Sequence, residues 1–370
     1  RDWSSDVCSS DLYSEKVPDD LKRQLRDRMF EALRGLRDGS LTPVEPSPVL
    51  MQRMLDVAVA DTVAPDYLSM IRAQMGLDQG RSAEGAEPDM RGKARGFRVT
   101  IIGAGVSGIC LGIKLKQAGI DFDILEKNGD VGGTWLENHY PGCAVDTPNH
   151  FYQFSFEPND DWPNYYSRQT AILDYLRHCA DKYGLREHIR FGCEARGAKY
   201  DEARGLWSVS YGDADGREQC LVSNALVTAV GQLNRPSIPD LKGLETFGGI
   251  ITHTAEWPED LDVSGRNVAL IGSAASGIQV ACAMAPVAKS LTVFQRTGNW
   301  IVRSPNIHRT VSEEMKWALK NVPFYAAWYR FQLFWAFADG LYPALRIDPE
   351  WKGENSINAK NDRKIGRAHV

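Results

Sequence analysis

Two short glycine-rich turns, each set between an apolar strand and a helix, constrain this chain more than any other feature. The first reads Val99-Thr-Ile-Ile-Gly103-Ala104-Gly105-Val-Ser107-Gly108, and the second Val268-Ala-Leu-Ile-Gly272-Ser273-Ala274-Ala-Ser276-Gly277-Ile-Gln279. Glycines at this spacing permit a tight turn, let a pyrophosphate approach the backbone and pack helix on strand. The free amides and dipole of the helix start then face the anion. Phe97 to Ile102 and Phe122 to Leu125 read as strands around the first turn, and Arg266 to Ile271 with Leu291 to Phe294 repeat the arrangement. Strand–helix alternation of this kind predicts an α/β chain with two doubly wound, Rossmann-like dinucleotide-binding domains.

The residues closing each second strand separate the two turns. Glu126 ends the strand after the first turn, where a carboxylate accepts ribose hydroxyls. Gly103, Ala104, Gly105, Ser107, Gly108 and Glu126 therefore form the first candidate site. In the second turn Ala274 replaces the middle glycine. Its methyl is expected to hold a pyrophosphate slightly further out, or to need help from the Ser273 and Ser276 hydroxyls. After the next strand comes Phe294-Gln-Arg296-Thr297, with a guanidinium where an NAD site offers an acid. A planar fork suits a 2′-phosphate, so NADPH is expected; a lone arginine at a strand end is otherwise a solvated side chain. Gly272, Ser273, Ala274, Ser276, Gly277, Gln279, Arg296 and Thr297 form the second candidate site.

Two further stretches carry a family resemblance. Gly132-Gly133-Thr134-Trp135-Leu-Glu-Asn-His-Tyr140-Pro-Gly142 is similar to the flavin-monooxygenase segment G-G-x-W-x-x-N-x-Y-P-G. Phe247-Gly-Gly249-Ile-Ile-Thr-His253-Thr254-Ala-Glu-Trp257-Pro258 resembles the linker fingerprint of the Baeyer–Villiger monooxygenases. The resemblance spans roughly residues 97 to 362. It implies that the first turn holds FAD, with Gly133, Thr134, Trp135, Asp146 and Tyr152 beside the cofactor, and that the second holds NADPH. Trp135 packs against the flavin or simply fills core. Ala229-Val-Gly231 resembles the A-T-G strand end that closes the FAD domain, with Val230 in place of threonine. The family uses an arginine near the flavin, held by an aspartate that Asp146 matches; in the family that arginine lies well beyond the linker motif, and it is expected past residue 370, so no arginine of this chain is assigned to that role. His253 serves as a catalytic proton carrier or, more blandly, as a hinge residue between domains.

Before the first strand, Leu21, Leu25, Met29, Ala32, Leu33 and Leu36 recur at helical steps. Further helices are expected from Pro48 to about Ala60 and from Pro65 to Met75, then a linker over 78–96 rich in glycine, alanine and charge. Such a helical extension (residues 13–77) is similar to that of the 4-hydroxyacetophenone monooxygenase branch, and a homodimer contact through it is expected. The FAD domain is expected over 97–235 as a first part, the NADPH domain over 236–305, and an incomplete helical insertion over 306–364, with helices at Val311 to Leu319 and Tyr325 to Phe337. Asp6 to Asp11, the first six residues of the string ending at Leu12, and Ile365 to Val370 can be back-translated into complementary DNA, GACGTGTGCTCTTCCGAT and ATCGGAAGAGCACACGTC. Residues 1–12 and 365–370 thus read as one synthetic adaptor translated at both ends of a gene fragment, and the chain as C-terminally truncated.

Composition narrows the remaining classes. A net charge of -5 gives no electrostatic footprint for nucleic acid. The seven cysteines include no C-x-x-C pair, so reduced thiols in the cytoplasm are expected. No histidine cluster has metal-ligand spacing, so no metal site is assigned. Val322 to Leu345 is apolar, but Pro323, Arg330, Gln332 and Asp339 interrupt it, whereas a membrane span needs about 20 mostly apolar residues. Its aromatics fit helical core or, less ordinarily, the lining of a pocket for an aryl ketone. The implied activity is FAD- and NADPH-dependent insertion of one oxygen from dioxygen beside a ketone carbonyl, through a flavin peroxide, giving an ester or lactone. The alternatives are an N- or S-oxygenating flavin monooxygenase and a catalytically inert flavoprotein fragment.

Overall fold

The computed structural model describes residues 18–44, 46–59, 62–75, 95–298, 300–302, 307, 309–338 and 365–367. Most of the linker expected over 78–96, residues 1–12 and the stretch 339–364 lie outside the described residues. In chain order the helices are α1 (Asp19–Asp38), α2 (Pro48–Val59), α3 (Leu68–Gln74), α4 (Val106–Ala118), α5 (Gln169–Lys182), α6 (Ala275–Met284), α7 (Glu313–Asn321) and α8 (Tyr325–Phe337). The strands are β1 (Arg98–Ile102), β2 (Asp121–Leu125), β3 (Ile189–Arg190), β4 (Glu194–Asp201), β5 (Leu206–Gly212), β6 (Glu218–Ser223), β7 (Ala225–Thr228), β8 (Asn267–Ile271), β9 (Ser290–Phe294), β10 (Trp300–Val302) and β11 (Ile365–Arg367).

Two compact units result. One gathers residues 1–80, 146–166 and 298–370, and the other 81–145 and 167–297. The second unit holds both glycine turns. Its main sheet is parallel in the order β3-β2-β1-β7, with Ile101 opposite both Ile124 and Val227. β1 is buried on both faces, which is why it reads as a continuous apolar run. A smaller parallel pair, β8 and β9, flanks α6, with Ile271 opposite Phe294. Ile271 and Phe294 at the ends of that pair are 56% and 55% exposed.

The same unit contains an antiparallel sheet, β4-β5-β6, which the strand–helix alternation did not anticipate. It packs on the parallel sheet through Val209, Tyr211 and Cys193 against Leu125, with Ile102 and Leu226 alongside.

The other unit is built around α8. Phe331 is fully enclosed with Met51, Leu55, Ile71, Val63 and Met75, and Trp328, Phe334 and Trp335 pack around them. The aromatic run from Tyr325 to Phe337 is thus used as core for α2 and α3, each buried apolar side chain contributing about 1.5–3 kcal/mol. α7 begins at Ser312, whose hydroxyl accepts from the Met315 amide at 3.2 Å. α1 has the amphipathic pattern read from the sequence yet buries none of its residues. β10 pairs antiparallel with β11, Ile301 opposite Gly366, within the string that back-translates to adaptor DNA. Among the described residues no helix is long and apolar enough to cross a membrane.

Candidate functional site

The first turn follows β1 directly. Gly103 has φ +102, and its amide donates to the Leu125 carbonyl at 2.8 Å, which pins the turn to β2. A Cβ at Gly103 would stand 2.6 Å from the Ala229 oxygen, and one at Gly108 only 1.9 Å from the Gly103 oxygen. Only glycine lets α4 start this close to the strand. Glu126 lies beneath the turn, 4% exposed, with one carboxylate oxygen accepting from the Ala104 amide (2.7 Å) and the other from the Asn128 amide (2.9 Å). Each oxygen keeps a lone pair for a ribose hydroxyl. Ser107 is exposed in the first turn of α4. This cradle fits a pyrophosphate: backbone amides at a helix start with no side chain in the way.

The flavin-like segment closes on the same turn. The Gly132 amide donates to the Ala104 carbonyl at 3.0 Å. Gly133, at φ +55, sits where a Cβ would lie 2.9 Å from Gly105 Cα. Thr134 is exposed, whereas Trp135 is buried, and its carbonyl accepts from the Gln169 side chain.

The second turn repeats the first. The Gly272 amide donates to the Phe294 carbonyl at 2.8 Å, matching the Gly103–Leu125 bond. A Cβ on Gly277 would stand 2.5 Å from the Gly272 oxygen. Ala274 caps α6 at φ -72, ψ -173, and Gly105 caps α4 at φ -77, ψ -167. Both are extended conformations open to any residue, so Ala274 introduces no backbone strain. The Ser273 hydroxyl donates to Gln295 at 3.0 Å. Ser276 is half-buried, while Arg296 and Thr297 stand exposed past β9.

Gln279 points its amide away from a purely local role. Its Oε1 accepts from the Tyr140 hydroxyl at 2.9 Å and the Ala144 amide at 3.4 Å, and its Nε2 donates to the Ala144 carbonyl at 2.9 Å. In the linker motif, His253 Nδ1 accepts from the Ala255 amide at 3.1 Å and caps the short turn Thr254–Glu256. That bond leaves the ring proton of neutral His253 on Nε2. The exposed Phe247 ring folds over Gly249, where a Cβ would be 2.6 Å from Cε1. The Trp257 carbonyl accepts from His139 Nε2 at 2.7 Å. Thr254 and Trp257 are half-buried and Pro258 is exposed.

Asp146 and Tyr152 belong to the other compact unit. Asp146 is exposed and accepts from the Thr147 hydroxyl at 3.4 Å; Tyr152 is half-buried and its amide donates to the Pro148 carbonyl at 2.9 Å. Four residues after Asp146, His150 is 3% exposed, and neither ring nitrogen has a hydrogen-bond partner. Burial pushes its pKa down to about 4. The Tyr329 ring meets it edge-on at 5.2 Å, and Arg330 donates to its carbonyl at 3.3 Å. Metal-ligand spacing alone gives His150 no role, and no local pattern signals its burial.

Comparison with known proteins places these features in one family. The flavin-binding monooxygenase-like family matches residues 96–311. An uncharacterised monooxygenase of Sinorhizobium fredii is 36% identical over 346 residues, covering 93% of this chain and 51% of that protein. A Baeyer–Villiger monooxygenase of Streptomyces coelicolor is 42% identical over 216 residues, covering 58% of this chain and 40% of its own length. The NADP+-bound cyclohexanone monooxygenase of Rhodococcus sp. Phi1 superposes with a TM-score of 0.55 at 39% identity, over 60% of this chain and 42% of that one. The chain therefore spans about half the length, or less, of the relatives it matches.

Proposed function

Because the chain belongs to the flavin-binding monooxygenase-like family, we propose that its parent protein is an FAD-dependent, NADPH-using Baeyer–Villiger monooxygenase. It converts a ketone and dioxygen to an ester or lactone. The observation that carries this reading is the pair of matched glycine turns joined by the His253-Thr254 to Trp257-Pro258 linker. Relatives named for this chemistry support it.

Gly103 to Gly108 cradle the FAD pyrophosphate, and Glu126 takes the ribose. Gly133, Thr134 and Trp135 line the flavin side, with Asp146 and Tyr152 contributed by the segment that follows. Gly272 to Gly277 receive the NADPH pyrophosphate, and Arg296 with Thr297 the 2′-phosphate. Bound FAD supplies the activation of dioxygen that no side chain provides. The chain's own residues orient the two nucleotides and exclude water. Asp146 orients the arginine expected from the rest of the parent protein. His253 acts from the linker, holding its turn through Nδ1 and offering an Nε2 proton.

The finer assignment is to the 4-hydroxyacetophenone monooxygenase branch, acting on an aryl ketone, and it rests on the helical extension α1 to α3 before β1. The exposed apolar face of α1, with Leu21, Leu25, Met29 and Phe30, supports a homodimer through that extension. Free cysteines throughout the described residues fit a cytoplasmic enzyme. At about half the length of its relatives, the 370-residue chain alone is expected to bind FAD weakly or not at all and to form no ester.

The deciding experiment uses the full-length protein. It should purify yellow, prefer NADPH over NADH, and turn an aryl methyl ketone into its acetate ester, detected by mass spectrometry. Sulfide or amine oxygenation without any ester would replace this reading with N- or S-oxygenation.

A further inference from the structure

The segment from Gly132 to Ala144 touches both nucleotide turns. At one end, Gly132 donates to Ala104, and Gly133 lies against Gly105 in the first turn. At the other, Tyr140 and Ala144 bind the side chain of Gln279, on the helix opened by the second turn. Gly142, at φ +86, brings the backbones together: a Cβ there would lie 2.6 Å from the Gln279 carbonyl oxygen and 3.2 Å from Ala283. Between these ends, His139 Nε2 donates to the Trp257 carbonyl of the linker motif at 2.7 Å.

We infer that residues 132–144 form a strap that sets the second dinucleotide turn against the first, and that Gln279 is the positioning residue holding it. The inference rests on the flavin and nicotinamide reading of the two turns. A glutamine amide offers two acceptor lone pairs and two N–H donors. The strap takes both lone pairs and one donor. An amide is also the group that can accept from Ala144 N–H and donate to Ala144 C=O together, pairing with that residue's backbone as a neighbouring strand would. Gln279 is thereby committed to the strap, although its place two residues after Gly277 reads in sequence as a coenzyme ligand.

The consequence is kinetic. With both nucleotides bound, the strap would have to hold the two turns so that the rings could meet for hydride transfer, and a displacement of about 1 Å would cost such a step roughly 100-fold. Each nucleotide keeps its own cradle when the strap loosens, so affinity survives while transfer slows.

The test uses full-length protein with Gln279→Leu, Tyr140→Phe and the double variant. Four quantities are measured: bound flavin, NADP+ affinity by calorimetry, the limiting rate of flavin bleaching by NADPH without oxygen, and amide exchange at Ala144 in coenzyme-free protein. Gln279→Leu should keep its flavin and hold NADP+ within about threefold, yet reduce flavin about 10- to 100-fold more slowly. Its Ala144 amide should exchange about tenfold faster, as befits a lost hydrogen bond. Tyr140→Phe should slow reduction about fivefold, the size of one neutral hydrogen bond. The double variant should be no slower than Gln279→Leu.

Weakened NADP+ binding with an unchanged limiting rate, together with a wild-type Tyr140→Phe, would make Gln279 a coenzyme ligand and overturn the strap. Unchanged Ala144 exchange in Gln279→Leu would overturn it as well. Should Gln279→Leu not fold, Tyr140→Phe decides alone, and an unaltered reduction rate there refutes the proposal. A wild-type protein that NADPH does not bleach would count against the enzymatic reading instead, and Ala144 exchange would still judge the strap.

Discussion

His150 should make the unit built around α8 sensitive to mild acid. Its ring is enclosed by Tyr165 and Tyr329, and burial lowers its pKa from the ordinary 6.5 to about 4. The Arg330 guanidinium donates to the His150 and Phe151 carbonyls at 3.3 Å and holds that backbone in place. The unfolded chain therefore binds more protons than the folded one between those two pH values, and stability rises with pH across that window. It is fully present above about 6.5 and falls as the pH drops toward 4. At about 1.4 kcal/mol per pH unit, the loss reaches about 3 kcal/mol. His150→Phe keeps a ring of similar shape and removes the titration. Thermal unfolding followed by fluorescence from pH 7.5 to 4.5 should show a steeper fall for the wild type than for His150→Phe. Carboxylates titrate alike in both proteins and cancel from the difference. Parallel curves would refute the reasoning, because they would mean that His150 is hydrated or partnered in the folded protein.

Three other expectations concern separate sites. Arg296→Ala in the full-length enzyme should raise the NADPH KM about tenfold or more, the worth of a charge-assisted hydrogen bond, and leave NADH use nearly unchanged; equal effects on both coenzymes would remove Arg296 from the 2′-phosphate. Phe331→Ala should destabilise the unit around α8 by about 3–5 kcal/mol, since it empties a fully enclosed site, and a calorimetric change below 1 kcal/mol would contradict that core. His253→Ala should retain FAD while slowing flavin reduction or leaking hydrogen peroxide, because the residue lies on the linker rather than in the glycine turn, and the change removes both the acceptor for the Ala255 amide and the Nε2 proton; loss of FAD as the main defect would place the residue inside the flavin domain's structure.

The parts of this fold that were legible in sequence are those where a physical demand selects a residue type locally. Gly103, Gly108, Gly272 and Gly277 fall in that group, since a Cβ at Gly108 or Gly277 would overlap a carbonyl oxygen. So do the apolar runs of β1 and the aromatic run of α8. What stayed hidden depends on partners far away in the chain. Gln279 meets Tyr140 and Ala144 from 139 and 135 positions away, and such bonds leave no periodic trace. β4 reads Glu194-Ala-Arg-Gly-Ala-Lys-Tyr-Asp201, with none of its residues buried, so no apolar alternation announces it. His150 follows Thr147-Pro148-Asn149, a turn-like stretch, and becomes buried through Tyr329 of α8 and through Tyr165, neither of them its neighbour in sequence.

Ala274 separates what the fold requires of a nucleotide turn from what the ligand requires. The first and last glycines answer to the chain itself: Gly272 needs φ +104, and Gly277 must pass the Gly272 carbonyl. The middle position answers to neither demand, since its backbone is extended at Ala274 and at Gly105 alike. A glycine there serves only the close approach of a pyrophosphate. Ala274→Gly should therefore not lower thermal stability, because glycine is preferred over alanine at a helix N-cap. The same substitution should tighten NADP+ several-fold in calorimetric titration by letting the phosphates settle onto the amides of α6. A variant that loses several degrees of Tm with unchanged coenzyme affinity would assign the methyl of Ala274 to packing, and the middle position would then belong to the fold after all.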